Sequence, residues 1–247
     1  WVARLDADDI CEPSRLEKQI NFVRENPEVV LLGTGFFEID ENGKRFKKHS
    51  YPTEHQRLVK NLEQLRRFFP HSSAFYRTDV VRQVGGYNLR IQRAEDRKLW
   101  LDLSLRGRIA ALPTPQVQIR KHANQISLDN DGKRQLCDAI ASTVSYFLMK
   151  AGRKDPSVEA SENEWRSFLS WIEKRAEELD IFNKRKSWIS ARDAYFSTEN
   201  KIIAGLRFST RLLQSGYACV LIWEKFFETS LSQRLARDWV VHSTPIN

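Results

Sequence analysis

The sequence is poor in sulfur and in chain breakers, with three cysteines, one methionine, ten glycines and eight prolines among 247 residues. So little Gly and Pro excludes collagen-like and low-complexity classes. Cys11, Cys137 and Cys219 are odd in number and widely spaced, and no C-x-x-C pair suggests zinc or a redox dithiol. They read as reduced, buried cytosolic thiols. Long apolar runs are missing too. The longest, Tyr217 to Trp223, is far short of the roughly 20 residues that cross a bilayer. No basic segment followed by an apolar one opens the chain, so no secretory signal is expected. There is no initiator methionine either. Trp1-Val2-Ala3-Arg4-Leu5 reads as a strand already under way, which predicts the back part of a longer protein.

What is present is globular in character. Apolar residues make up 41% and aromatics 11%, with seven tryptophans, enough for a full core. Forty Lys plus Arg against 32 Asp plus Glu give a formal charge of +8, which favours partners that carry phosphate. Nucleic acid, an anionic membrane face and nucleotide-activated metabolites all satisfy that charge.

Along the chain, Trp1 to Leu5 predicts a strand running into the acidic tip Asp6-Ala7-Asp8-Asp9. Pro13 suits a first helical turn, and Leu16, Ile20 and Val23 give helical spacing. Val29 to Ile39 reads as a strand, turned at Asp40 to Gly43 and returning through Lys44 to Lys47. A helix is expected from Thr53 to Arg67, a short strand from Ser72 to Tyr76, and a short helix from Asp79 to Val84. Gly85-Gly86 marks positive φ or a close backbone approach. Glu95 and Asp96 open a helix with Leu99, Trp100 and Leu103 on one face, and strands Ile109 to Leu112 and Val117 to Ile119 follow. Alternating strands and helices predict an α/β layer. Beyond a boundary near Ser127 to Gly132 the periodicity is helical, over Leu136 to Met149, Trp165 to Leu179, Trp188 to Leu213 and Val220 to Trp239.

The candidate chemistry is acidic. Asp6 and Asp8 are two apart at a strand end and so project to one side, with Asp9 close behind. Their like charges call for a hard divalent cation such as Mg²⁺ or Mn²⁺, whose open positions can take phosphate oxygens. The same residues also occur as ordinary turn and cap residues. Glu95-Asp96 sits at a helix start, where the dipole keeps a carboxylate ionised and available as a base. Such a pair is also a common helix-stabilising feature. His122, in Arg120-Lys121-His122, follows a strand and is a third candidate.

Taken in order, these segments resemble the glycosyltransferase family 2 enzymes of the GT-A fold. The resemblance rests on Ala3-Arg4-Leu5-Asp6-Ala7-Asp8-Asp9, Arg15-Leu16-Glu17-Lys18-Gln19, Gly33, His71-Ser72-Ser73, Gly85-Gly86-Tyr87-Asn88, Ala94 to Trp100 and Arg120-Lys121-His122. It covers about residues 1 to 127. It implies a GT-A catalytic part over 1–130, lacking the N-terminal segment that holds the nucleotide base and ribose, and an α-helical region over 131–247. It also implies that Asp6 and Asp8 hold a divalent metal on the diphosphate of a UDP- or GDP-linked sugar. Asp96 is then the general base for the acceptor hydroxyl, with Glu95 assisting, and the sugar configuration inverts. His122 joins the metal site, and Gly85 and Gly86 approach the donor sugar. The processive motif Gln-x-x-Arg-Trp is absent, so transfer of one sugar to a saccharide or lipid-linked acceptor is expected, as in cell-envelope polysaccharide synthesis.

Arg207, Arg211, Lys225, Arg234 and Arg237 are interleaved with Phe208, Leu212, Trp223, Phe226, Phe227 and Trp239. These residues suit peripheral contact with the inner face of the cytoplasmic membrane, or the core of a helical subdomain. Two other readings compete with the transferase. A metal-dependent phosphohydrolase would use the Asp cluster and His122, but no second dense His/Asp motif is present. A basic binding module is the other, although no nucleic-acid signature is found and the basic residues are spread along the chain.

Overall fold

The structure is a computed structural model that describes residues 1–121, 132–187 and 230–243. The chain divides into two compact units, Trp1–Glu159 and Ala160–Asn247.

The first unit is built on a mixed six-stranded sheet. Its strands are β1 (Val2–Ala3), β2 (Ile10–Cys11), β3 (Val29–Ile39), β4 (Arg45–His49), β5 (Phe75–Tyr76) and β6 (Arg108–Arg120). The order is β1-β5-β3-β6-β2, with β4 also pairing β3. β3 is the spine. It runs parallel to β6 and antiparallel to β4 and β5, and nearly every residue in it is buried, which explains its unbroken apolar sequence. Val23, Val29, Leu32, Phe75 and Ala110 form one core cluster beneath it.

The two strands expected at 109–112 and 117–119 are one element. β6 continues through Pro113 and Pro115 because the register against β3 shifts on either side of Gly35, a bulge that tolerates the missing N–H groups. Gly35 has to be glycine there. A Cβ on it would lie 2.7 Å from the His49 carbonyl and 3.0 Å from that of Pro113.

Helix α1 (Arg15–Glu25) starts two residues after Pro13. Its buried face is not the apolar one. Arg15, Gln19 and Val23 point inward, whereas Leu16 and Ile20 are 47% and 36% exposed. Helix α2 (His55–Glu63) is shorter than the 53–67 expectation, since Leu65 takes a positive φ of 53° and stops it. His71–Ser73 is a 3-10 turn rather than strand. Helix α3 (Thr78–Gln83) and helix α4 (Glu95–Ser104) follow, the latter burying Lys98, Leu99, Trp100, Leu101 and Leu103.

Helix α5 (Lys133–Lys150) lies beyond the anticipated boundary at 130, yet it packs on α4 within the first unit. The short helix α6 (Pro156–Glu159) completes that unit. A buried ion cluster ties the two regions together. Lys98 Nζ lies 2.6 Å from Asp102 Oδ2 and 2.9 Å from Asp155 Oδ2. The unit therefore ends at Glu159 because residues after 130 supply charge and cover to residues before it.

In the second unit, α7 (Glu162–Glu178) opens on a capping box between Ser161 and Glu164 and buries Trp165, Phe168 and Ile172. The helix Leu231–Ser243 is also described, and its Trp239 packs 4.9 Å from Phe168 and 5.1 Å from Trp171, ring centre to ring centre. At that position the aromatic is half-buried against the facing helix. The expected helix 188–213, the start of the one at 220–239, and the basic and aromatic residues from Arg207 to Phe227 lie outside the described residues. Among the described residues no helix is long and apolar enough to cross a membrane. Cys11 and Cys137 are half-buried rather than buried; Cys219 lies outside the described residues.

Candidate functional site

The acidic tip is a turn rather than a strand end. β1 stops at Ala3, and Asp9 N donates to Asp6 O at 3.2 Å. Strand alternation therefore does not align Asp6 with Asp8. Asp6 and Asp9 are instead gathered by one buried hydroxyl. Ser72 Oγ accepts from Asp6 N at 3.2 Å, donates to Asp6 Oδ2 at 2.9 Å and also contacts Asp9 Oδ2. Arg4 pairs with Asp6 at 2.7 Å, and Arg120 N donates to Asp9 Oδ1 at 3.0 Å. Asp8 is exposed. Burial pushes the Asp9 carboxyl up; its bonds to Ser72 and Arg120 N oppose this, and the neighbouring charges of Asp8 and Asp6 add to it.

Two residues of α1 hold this turn and Ser72 in register. Arg15 is only 1% exposed. Its Nη2 donates to Arg4 O at 2.9 Å and Ala74 O at 3.2 Å, and its Nε to Gln19 Oε1 at 3.0 Å. Gln19 in turn donates to Ser73 O at 3.0 Å. One helix face thus clamps the backbone on both sides of the acidic turn.

Glu95 and Asp96 form the first turn of α4 behind Ala94, which provides no side-chain cap. Asp96 Oδ1 accepts from Arg97 N at 2.6 Å. Glu95 is raised above the ordinary carboxylate range, mainly by burial and further by the charges of Asp96, Asp138 and Asp6. His71 lies 2.7 Å from Tyr87 Oη. Burial lowers its pKa, while the charges of Asp96 and Asp6 oppose that and Arg4 adds to it. The charges of Asp6 and Asp96 thus act on His71, and both also act on Glu95.

Gly85 and Gly86 have φ of +85° and +76°. Gly85 N donates to Arg82 O and Gly86 N to Val81 O, at 3.1 and 2.9 Å, a double bond pattern that ends α3 in the Schellman manner. A Cβ on either would meet no protein atom within 4 Å. Helix termination accounts for the left-handed backbone at Gly85. His122 lies outside the described residues.

Asp6, Asp8 and Asp9 offer hard oxygen donors in one turn, the donor chemistry of Mg²⁺ or Mn²⁺. Among the described residues no group of three His, Cys, Asp or Glu side chains is placed to hold a metal ion. Sequence reasoning passed over Ser72, His71, Tyr87, Arg15, Gln19 and Asp138 as site residues. The run His71-Ser72-Ser73 carried a signal, being polar where a buried strand was expected. Arg15 and Gln19 carried the spacing of one helix face, masked by the stronger apolar pattern of Leu16 and Ile20.

Residues 1–85 match the family described as glycosyl transferase family 2. The chain is 33% identical over 154 residues to the amylovoran biosynthesis glycosyltransferase AmsE of Erwinia amylovora, which is 62% of this chain and 55% of that protein. It is 34% identical over 129 residues to an uncharacterized glycosyltransferase of Haemophilus influenzae, covering 51% and 47%. With the O-antigen biosynthesis glycosyltransferase WbnJ of Escherichia coli the identity is 36% over 104 residues, covering 40% and 38%. The alignments span about half the length of these curated relatives. The α/β unit followed by helices agrees with a GT-A domain and a helical region.

Proposed function

We propose that this chain, whose residues 1–85 match glycosyl transferase family 2, moves one sugar from a nucleoside-diphosphate donor to a hydroxyl of a glycan acceptor. The observation that carries the reading is the match of residues 1–85 to that family, with the Asp6 turn gathered on Ser72 and the Glu95-Asp96 pair opening α4 as support. Displacement at an anomeric carbon needs two groups, one to take the proton of the incoming hydroxyl and one to receive the departing diphosphate. Asp96, at the α4 N-terminus, takes the proton. Glu95 stands beside it and orients the hydroxyl. His71 and Tyr87, joined by a hydrogen bond, would face the substrate beside them.

Asp6 and Asp8 would hold the divalent ion, which neutralises charge on the leaving diphosphate. Ser72 and Arg15 keep that turn in shape. With base and leaving group on opposite sides of the sugar, the configuration inverts. The positive formal charge of the chain supports an anionic donor, UDP- or GDP-linked, and suits a saccharide or lipid-linked acceptor met at the inner face of the cytoplasmic membrane. The names of the amylovoran and O-antigen relatives support an acceptor in bacterial polysaccharide synthesis.

Calorimetric titration of the full-length protein with UDP and GDP, with and without Mn²⁺, tests the reading. Metal-dependent binding of one nucleotide is expected. Asp96→Asn should keep that affinity within about twofold while lowering transfer by about 10³-fold, more than a lost acid-base group alone usually costs at the low end. Loss of binding and transfer together would assign Asp96 a structural role, and absence of nucleotide binding by the wild type would remove the transferase reading.

A further inference from the structure

Helix α5 and the turn before α6 lie outside the stretch that matches the family, and they supply the side chains that fix the loop carrying Glu95-Asp96. Asp138 of α5 is 5% exposed. Its Oδ2 accepts from Gln92 N at 3.2 Å and from Arg93 N at 2.9 Å, the two amides just upstream of Ala94. The front of the same loop is held independently. Asn88 Nδ2 donates to Ser157 O at 3.1 Å and to Ser157 Oγ at 2.9 Å, and Arg90 N donates to Asn88 Oδ1 at 2.9 Å. Ser157 is itself held by Asp155, whose Oδ1 accepts from its N at 2.9 Å and its Oγ at 2.7 Å. Asp155 Oδ2 pairs with buried Lys98 on α4.

The loop is thus gripped at both ends, and its far end opens directly into the candidate base. Ala94 caps α4 with no side-chain hydrogen bond, so the direction in which the first turn leaves the loop depends on what holds Gln92 and Arg93. The carboxylate of Asp138 is the group on those two amides, and Ile91 and Ala94, 1% and 5% exposed, anchor the segment to the core on either side of them.

We propose that Asp138 is a positioning residue that sets the placement of Glu95 and Asp96 for the transfer, acting through the Gln92 and Arg93 amides. This rests on the transferase reading for its effect on rate, but the hold on the loop does not. Asp138→Asn keeps an oxygen for the two amides, whereas Asp138→Ala removes it. Amide hydrogen exchange on the full chain should show faster exchange at Gln92 and Arg93 in Asp138→Ala and near wild-type protection in Asp138→Asn. In the transfer assay Asp138→Ala should lower kcat by about 10- to 100-fold, the scale expected when a reacting group is misplaced by about an ångström. Nucleotide affinity should stay within about twofold, and Asp138→Asn should recover most of kcat.

Unchanged exchange at Gln92 and Arg93 in Asp138→Ala overturns the proposal whatever the activity. Faster exchange with unchanged kcat overturns it as well. If Asp138→Ala fails to fold, Asp138→Ser, whose shorter side chain cannot reach both amides, takes its place in both assays, with the same expected and overturning results. A wild type that binds no nucleotide sinks the transferase reading instead, and the exchange result then decides the positioning claim alone.

Discussion

Arg15 is a buried guanidinium whose hydrogen-bond acceptors are two carbonyls and an amide, with no carboxylate among them. Burial lowers its pKa, and the adjacent Cys11 side chain opposes that. Desolvating such a charge is unfavourable unless every donor is used, so its presence points to what it organises: Arg4 and Ala74 on either side of the acidic turn. Arg15→Met should lower unfolding free energy by about 2 to 4 kcal/mol, because several buried acceptors lose their donor at once. Urea denaturation measures it. Arg15→Lys should recover little, since one ammonium cannot reproduce the planar fork. A variant as stable as wild type would mean that water or a shifted neighbour satisfies those carbonyls.

At the scale of elements, glycines separate two physical demands. Gly33 on β3 is needed for space: a Cβ there would fall 2.1 Å from Phe69 Cγ, and Phe69 is 1% exposed in the core. Gly85 is needed for its backbone, having open space around it and a φ of +85°. Gly33→Ala should cost about 1 to 3 kcal/mol by overpacking and loosen the 66–70 segment. Gly85→Ala should cost about 1 to 2 kcal/mol, from left-handed strain alone. Thermal unfolding of the two variants distinguishes them, and equal small losses would mean that Phe69 moves freely. The sequence announced Gly85 through its doubled glycine, whereas Gly33 entered only among the residues that carry the family resemblance. The same asymmetry runs through the fold. β3, α4, α5 and α7 were legible because apolar periodicity directly reports burial. The two-residue strand β2, the 3-10 turn at His71 and the buried polar face of α1 were not. They are set by contacts between residues distant in the chain, such as Asp6 with Ser72 and Ile10 with Gln118, and local pattern has no access to those.

At the scale of the whole molecule, the question is where the first unit ends. Periodicity changes near residue 130, and a cut there separates strands from helices. The packing argues for Glu159 instead. α5 buries Leu136, Ile140, Val144, Phe147 and Leu148, and each large apolar contact removed costs about 1.5 to 3 kcal/mol. A domain of this size holds only about 5 to 15 kcal/mol in total. Cutting at 130 would also leave the Gln92 and Arg93 amides without Asp138, and Lys98 with Asp102 but not Asp155. Burial already raises Asp102 against the pull of Lys98, so the severed cluster would hold its remaining carboxylate in a changed field. A fragment of residues 1–159 should therefore unfold in one cooperative urea transition, and a fragment of residues 1–130 should show no such transition and bind a hydrophobic dye. A cooperative 1–130 fragment would place the boundary where the periodicity does and make α5 an accessory. Failure of both fragments would mean that the unit also needs residues after Glu159, and the loop before Glu95 would then be held by more of the chain than α5 and α6.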